Sequence, residues 1–350
     1  MSAWEKNVRV VDPYVPGEQP SFPDMIKLNT NENPYPPAPG VAKMLKEIDA
    51  DSFRRYPKTD AKELVEALAD DLGVDFDNIF VGVGSDDVLG TAFLTFFKGS
   101  LPVLFPDVTY SFYPVWAELY GIPYETPALD ENFRIRKEDY YRPNGGIVIA
   151  NPNAPTTIAE PVSYIEDILK HNSDSVVIVD EAYVDFGGET SLKLIDKYEN
   201  LLVVRTFSKS RSMAGMRIGF AVGSKKLISY MMAVRNSYNS YTMTTASILC
   251  GAESVKDREY FEKTVKRVIE TRKRAVAEFE KLGFTAPESS ANFLFVTHKT
   301  VPAKEIFQKL RERHIFVRYF AKPRIDNYLR VTIGTDEDMD ALFKALGEIL

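Results

Sequence analysis

Residues Val204–Phe220 read VRTFSKSRSMAGMRIGF. The segment opens as an apolar strand and closes as another. Between them lie a threonine, serines, Lys209 and, eight residues after the lysine, Arg217. A solvated loop would account for the polarity but not for the order, which sets an amine at the end of one strand and a guanidinium just before the next. In open α/β sheets, ligands bind beyond the carboxyl ends of the strands, so the residues just past each neighbouring strand carry the most information.

Working outward, short apolar runs alternate with helical patterns. NIFVGVG, LPVLF, GGIVIA, SVVIVD and NLLVVRTF read as strands. SDDVLGTAFLTFFKG, YSFYPVWAELYG and PVSYIEDILKHN read as the helices between them. Such alternation predicts an α/β fold with a mainly parallel sheet covered by helices on both faces. Upstream, DAKELVEALADDLG predicts a helix capped by Asp60, with Glu63 completing a capping box and Gly73 ending it. The proline-rich LNTNENPYPPAPG excludes helix and must pack on something to be ordered. Beyond residue 245 the pattern changes to one long helix followed by mixed strands and helices, the look of a smaller α+β domain. The expected division is residues 1–50 as an N-terminal arm with part of the small domain, 51–245 as the large domain, and 246–350 as the small C-terminal domain.

The bulk composition narrows the function classes. The chain has 350 residues, 45% hydrophobic and 27% charged, with a formal net charge of -7 and no basic tail. Nucleic acid is therefore not an expected partner. No apolar run is long enough to span a bilayer, and the N-terminus lacks the apolar core of a secretory signal. A lone cysteine, Cys250, excludes an internal disulfide and fits a reducing compartment, so a cytoplasmic location is expected. His171, His298 and His314 are scattered, and no metal site is expected.

The strand ends carry the chemistry. Gly84-Ser85-Asp86 follows one strand and opens a helix, a place where free amides can hold an anion. Asn151-Pro152-Asn153-Ala154-Pro155-Thr156 follows a second, Asp180 ends a third, and Ser208-Lys209 follows a fourth. Any one of these reads equally well as a turn or a buried ion pair. Together they supply an acid, an amine, a fixed cation in Arg217 and a phosphate cradle, a set that suits pyridoxal phosphate. That cofactor's aldehyde needs a lysine, and its pyridine nitrogen needs a buried carboxylate to stay protonated. Its phosphate needs an arginine and helix-start amides. Tyr183 is placed to reach the ring oxygen, and Tyr110 to stack on the ring face.

NPNAPT, DEAYVDF and RTFSKSRSMAGMRIGF, in this order and spacing, resemble the fold-type I pyridoxal-phosphate aminotransferases. Within that superfamily the chain is similar to the histidinol-phosphate aminotransferases, through DPYVPG, LNTNENPYP, RYP at Arg55–Pro57, GVGSDDVL, VRYF and LRVTIGT. The resemblance implies a seven-stranded sheet in the large domain. It implies Lys209 as the lysine that binds the cofactor aldehyde and later carries a proton, with Asp180 on the pyridine nitrogen and Tyr183 on the ring hydroxyl. Ser85, Asp86, Thr206, Ser208 and Arg217 would surround the phosphate, and Tyr110 would stack on the ring. Tyr56 would reach the partner subunit's phosphate in a homodimer. Tyr14, Asn292, Arg318 and Arg330 would line the substrate pocket. The implied reaction is reversible transamination between histidinol phosphate and 2-oxoglutarate, giving imidazole acetol phosphate and glutamate, a step of histidine biosynthesis. An aromatic amino acid aminotransferase and a pyridoxal-phosphate decarboxylase of a phosphorylated amino acid are the alternatives. One departure stands out. The family commonly has Asn-Pro-Asn-Asn-Pro-Thr-Gly; here Ala154 and Thr157 replace the inner asparagine and the glycine, leaving Asn153 or Tyr183 to hold the ring oxygen.

Overall fold

The structure, a computed structural model, describes residues 2–350. Its strands are β1 (Ile26–Lys27), β2 (Ile79–Gly82), β3 (Val103–Leu104), β4 (Tyr124–Glu125), β5 (Gly146–Ala150), β6 (Val177–Asp180), β7 (Leu201–Thr206), β8 (Gly219–Gly223), β9 (Phe284–Thr285), β10 (Phe293–His298), β11 (Ile315–Phe316), β12 (Arg318–Tyr319) and β13 (Leu329–Thr332). Seven of them form one sheet in the order β2-β8-β7-β6-β5-β3-β4. Strands β4, β3, β5, β6 and β7 run parallel. Strand β8 lies antiparallel between β7 and β2. The predicted α/β architecture with a mainly parallel sheet is what forms.

The central strands are buried on both faces, which is why they read as continuous apolar runs rather than alternating ones. Ile147, Ile149, Val177, Val179 and Val203 point into one core layer. Their neighbours Val148, Ala150, Ile178, Leu202 and Val204 point into the opposite one. At roughly 25 cal/mol per Å² of apolar surface removed from water, such double-sided burial is what fixes the register of the sheet. The strand ends are thereby fixed too.

A smaller sheet, β12-β13-β10-β9, is wholly antiparallel. It packs with the long helix Arg258–Lys281 and the last helix Asp336–Ile349 around Val268, Phe279, Leu294, Val331, Leu342 and Leu346. Asp257 caps the long helix by accepting from Tyr260 N at 3.1 Å. From the arm, β1 pairs with β11, and Leu28 enters this same core.

Two local expectations differ from the fold that forms. The helix near residue 60 spans Lys62–Leu72, and its cap position is Ala61, at φ +48°, not Asp60. Asp60 instead bonds Lys62 N at 3.2 Å, and Glu63 pairs with Lys58 rather than reaching back. Gly73 does end the helix, at φ +68°. The packing also crosses the expected divisions. Helix Thr245–Lys256 places Ile248, Cys250 and Val255 in the large core, and Val41 from the arm joins them.

Strand β8 brings its first residue against the start of helix Gly84–Phe96. A Cβ on Gly219 would lie 2.3 Å from both Gly84 C and Ser85 N, so only glycine permits this approach of backbone to backbone.

Candidate active site

The ends of β2, β5, β6 and β7 open into one cavity of about 1030 Å³, closed on the other side by the arm and the small sheet. The register explains the assembly. Asp180 lies level with Ala150 and Val204, and Thr206 lies level with Gly219. Residues far apart in sequence thus reach one crevice.

Asp180 is 5% exposed. Its Oδ2 accepts from Tyr113 Oη at 2.9 Å and its Oδ1 from Ala182 N at 3.2 Å. It has no ion-pair partner among the described residues. Burial pushes its carboxyl up to about 6, against the Tyr113 and Ala182 hydrogen bonds, which work the other way. Lys209 extends into the same cavity. Its amine donates to Thr30 O at 3.1 Å and lies 5.8 Å from the centre of the Tyr183 ring. Desolvation, followed by the charge of Arg330, pushes this amine down to about 8. Lys209 and Asp180 form no ion pair with each other among the described residues. The expected alternative of a buried Asp–Lys bridge is therefore not what the structure holds.

One wall of the cavity is built on the helix start. Gly84 has φ +83°, and a Cβ there would fall 2.4 Å from the Arg217 guanidinium. Arg217, itself at φ +53°, donates to Asp86 Oδ2 at 3.3 Å. Asp86 Oδ1 accepts from Tyr110 Oη at 2.8 Å. Thr206 Oγ1 donates to Ser208 Oγ at 3.0 Å, and Ser85, Thr206 and Ser208 all line the cavity. Amides, hydroxyls and a guanidinium converge where the glycine leaves room, as a phosphate requires.

Another wall comes from the small sheet. Arg318 and Arg330 are direct cross-strand partners on β12 and β13, and neither has an acidic ion-pair partner among the described residues. Both guanidinium groups sit near the Phe320 ring, at 5.5 and 5.6 Å. Arg330 Nη2 donates to Asn29 O at 2.7 Å, and its Nε is buried without a partner. Tyr14 lines the cavity from the arm, stacked on Phe112 at 4.5 Å.

Two expected residues, Asn153 and Asn292, lie outside the cavity lining, and Tyr56, expected at a partner's site, lies away from this chain's own. Asn153 does not line the cavity; its side chain bonds Val108 O, Thr156 Oγ1 and Thr109 Oγ1 at 2.7–2.9 Å, and Ala154 faces the space instead. Asn292 is fully buried behind the wall and donates to Asn31 O at 3.0 Å. Tyr56 is 80% exposed, away from this chain's own cavity, and stacks on Tyr241 at 4.5 Å.

Other residues at the site carry no signal in periodicity or spacing. Segment Asn29–Asn33 is a hub. Thr30 O takes the Lys209 amine, Asn31 Nδ2 donates to Tyr183 Oη at 3.0 Å, and Asn33 Nδ2 donates to Lys209 O at 3.0 Å. The density of asparagine and proline there and the resemblance carried by LNTNENPYP are the hints in the sequence.

The residues fit pyridoxal phosphate. Asp180 is a buried carboxyl without a cation, as a protonated ring nitrogen needs. Lys209 is an amine whose proton is held less tightly than usual, at about 8. The Gly84–Arg217 cradle suits the phosphate.

Holding Asp180 without a counter-ion has a cost. A carboxyl titrating near 6 rather than 3.8 lowers folded-state stability by about 3 kcal/mol once both states are ionised. The folded protein binds the extra proton between pH 4 and 6, so stability falls as pH rises through that window. Asp180→Asn should therefore stabilise the cofactor-free protein at pH 8 by about 2–3 kcal/mol and leave it nearly unchanged at pH 4. Denaturant unfolding at both pH values measures this; equal effects at both would contradict it.

The family model for aminotransferase class I and II matches residues 23–346. Histidinol-phosphate aminotransferase of Lactococcus lactis subsp. cremoris (strain SK11) is 48% identical over 348 residues, covering 99% of this chain and 98% of the relative. The enzyme of the same name from Acinetobacter baumannii (strain SDF) is 48% identical over 349 residues, covering 99% and 97%. Among solved structures, histidinol-phosphate aminotransferase from Sinorhizobium meliloti, in complex with pyridoxal-5'-phosphate, superposes with a TM-score of 0.84 at 23% identity, covering 92% of this chain and 90% of that one. That likeness speaks for the fold, and the closer sequences speak for the family. The chain belongs to the class I and II aminotransferases, within the histidinol-phosphate aminotransferase family.

Proposed function

We propose that this chain transfers the amino group between histidinol phosphate and 2-oxoglutarate, with pyridoxal phosphate as cofactor. The observation that carries the reading is the cross-strand pair Arg318 and Arg330, two like charges side by side with no acid to balance them among the described residues. Like charges directly opposite destabilise a strand pair, so the arrangement favours an anionic ligand between or beside them. Glutamate presents a carboxylate; histidinol phosphate presents a phosphate dianion that can engage two guanidinium groups.

When bound, pyridoxal phosphate supplies an electrophilic carbon and an electron sink. The chain's own groups do the rest. Lys209, neutral above about pH 8, would take the proton from the α-carbon of the amino donor in one half-reaction and deliver one to the α-carbon of the oxo acceptor's product in the other. Asp180 holds a positive charge on the ring nitrogen. Ser85, Thr206, Ser208, Arg217 and the helix-start amides bind the phosphate, and Asp86 steers Arg217 and Tyr110. Tyr110 orients the ring, and Tyr183, held by Asn31, takes the ring oxygen without help from Asn153. Arg330 binds the substrate anion in both directions, with Arg318 and Tyr14 adding donors for the phosphate. Asn292 acts by supporting Asn31.

The working unit is a homodimer in which Tyr56 completes the partner's site. Its exposure, and that of Phe53, Tyr238 and Tyr241, at 49–80%, supports an aromatic surface that a second copy would cover. The domain division is drawn at helix Arg258–Lys281, with Leu28 in the small domain and Val41 in the large one. A cytoplasmic location fits the single buried Cys250; no helix among the described residues is long and apolar enough to cross a membrane.

The two half-reactions separate in stopped-flow absorbance of the cofactor. Losing one charge-assisted contact costs about 1.5–3 kcal/mol, roughly tenfold to hundredfold in rate. Arg318→Ala should lower kcat/KM for histidinol phosphate by about that factor and largely spare glutamate, whereas Arg330→Ala should damage both. Equal losses in Arg318→Ala remove its role as a phosphate selector. Carbon dioxide release from a phosphorylated amino acid, or preference for an aromatic amino acid, would overturn the substrate assignment.

Mixing Tyr56→Phe with Lys209→Ala protomers tests the shared site. A hybrid has one site with both Lys209 and the partner's tyrosine. At limiting cofactor, activity should rise above that of either parent. No gain in proven hybrids, or a monomer by light scattering, would contradict the arrangement.

A further inference from the structure

Tyr113 is fully buried, at the first turn of helix Tyr113–Tyr120, packed among Phe93, Phe105 and Trp116. A phenylalanine would fill that space equally well. The hydroxyl has one bond, to Asp180 Oδ2 at 2.9 Å, and it is the only side-chain donor to Asp180 among the described residues. Asp180 lines the cavity and Tyr113 does not, so the bond reaches the carboxylate from within the protein.

We propose that Tyr113 is a positioning residue for Asp180: its hydroxyl pins Oδ2 from the protein side and leaves the carboxylate's other lone pairs directed to the cavity. This rests on the pyridoxal-phosphate reading of the site. Two features make the role specific. First, a buried carboxylate with no cation is stabilised only by the hydrogen bonds it accepts. Asp180 has two, and Ala182 N at 3.2 Å is the longer. Second, the other charged or titratable groups around it do not supply donors. Asp86 approaches from helix Gly84–Phe96, and Glu181 adjoins on its own strand end, where its oxygens are engaged by Arg205, Thr190 and Ser191. Tyr183 lies in the next turn and bonds Asn31, while Lys209 bonds Thr30. Burial and the adjacent Asp180 charge both push the Tyr113 phenol well above its ordinary range, so it stays a donor throughout the working pH range.

The test uses pyridoxamine 5'-phosphate, whose amine forms no bond to Lys209, and reads binding affinity by calorimetry from pH 5 to 9. In the unmodified protein, affinity falls on the acid side as Asp180 takes up its proton. In Tyr113→Phe, one donor to the carboxylate is gone. The acid limb should move up by about one pH unit, with about tenfold weaker binding near pH 5 and only about twofold weaker binding near neutrality. The ligand's own ionisations are common to both proteins and cancel in the comparison. In an Asp180→Asn background, Tyr113→Phe should change affinity less than about twofold, because the two act as one unit. Site-specific replacement of Tyr113 by a fluorinated tyrosine, a stronger donor of nearly the same shape, should move the limb down, which guards against a packing defect in the phenylalanine variant. A limb that stays in place in both variants, or an equal loss in the Asp180→Asn background, overturns the role of Tyr113 and leaves the cofactor reading standing. Failure of the unmodified protein to bind pyridoxamine 5'-phosphate at any pH overturns both.

Discussion

An amine and a carboxyl share one cavity without pairing: Lys209 bonds a backbone carbonyl, and Asp180 bonds a tyrosine and an amide. Each is withdrawn from water, and each is shifted toward its neutral form. A direct ion pair would relieve both, and the fold prevents it by placing them on the ends of adjacent parallel strands and giving each a different partner. The double-sided burial of β5, β6 and β7 enforces this, since a slip of register by one residue would turn every core side chain to the wrong face. The unrelieved charges lower stability and keep both groups available to a ligand.

The rest of the site depends on the same constraint. The segment Asn29–Asn33 supplies the carbonyl that takes the Lys209 amine, an amide that fixes Tyr183, and another that holds the lysine's own backbone. It also ties to the small sheet, where Asn29 O accepts from Arg330 and Asn31 contacts Thr332 and Asn292. Displacing this arm would release Lys209 and Arg330 together. Opposite it, Gly219 lets β8 pass against the helix start, which brings Arg217 and the helix amides to one point.

Much of this is legible in the sequence. A parallel sheet buried on both faces leaves continuous apolar runs, and the residue after each run is a strand end by construction, so Ser85, Asp180, Ser208 and Lys209 can be placed at one crevice from the pattern alone. Arg318 and Arg330 stand out less as a pair, because their separation of twelve residues does not reveal a cross-strand register. Tyr113 is not legible at all: in an apolar helix it reads as core, and nothing in spacing shows which atom its hydroxyl meets. Asn153 reads as a ring contact because of its neighbour Ala154, yet its buried amide is turned to the Val108 carbonyl and the Thr156 and Thr109 hydroxyls. The division expected at residue 245 misses that the next helix is still part of the large core, since helical periodicity records an apolar face and not which core it meets.

The proposed chemistry turns on Lys209 as the amine that would hold the cofactor. Borohydride reduction of the protein loaded with pyridoxal phosphate, followed by peptide mapping, tests it directly. The expected result is a single stable label on Lys209, in the peptide that contains Ser208 and Ser210, and no label in Lys209→Ala. A label on any other lysine, or undiminished labelling in Lys209→Ala, would contradict it.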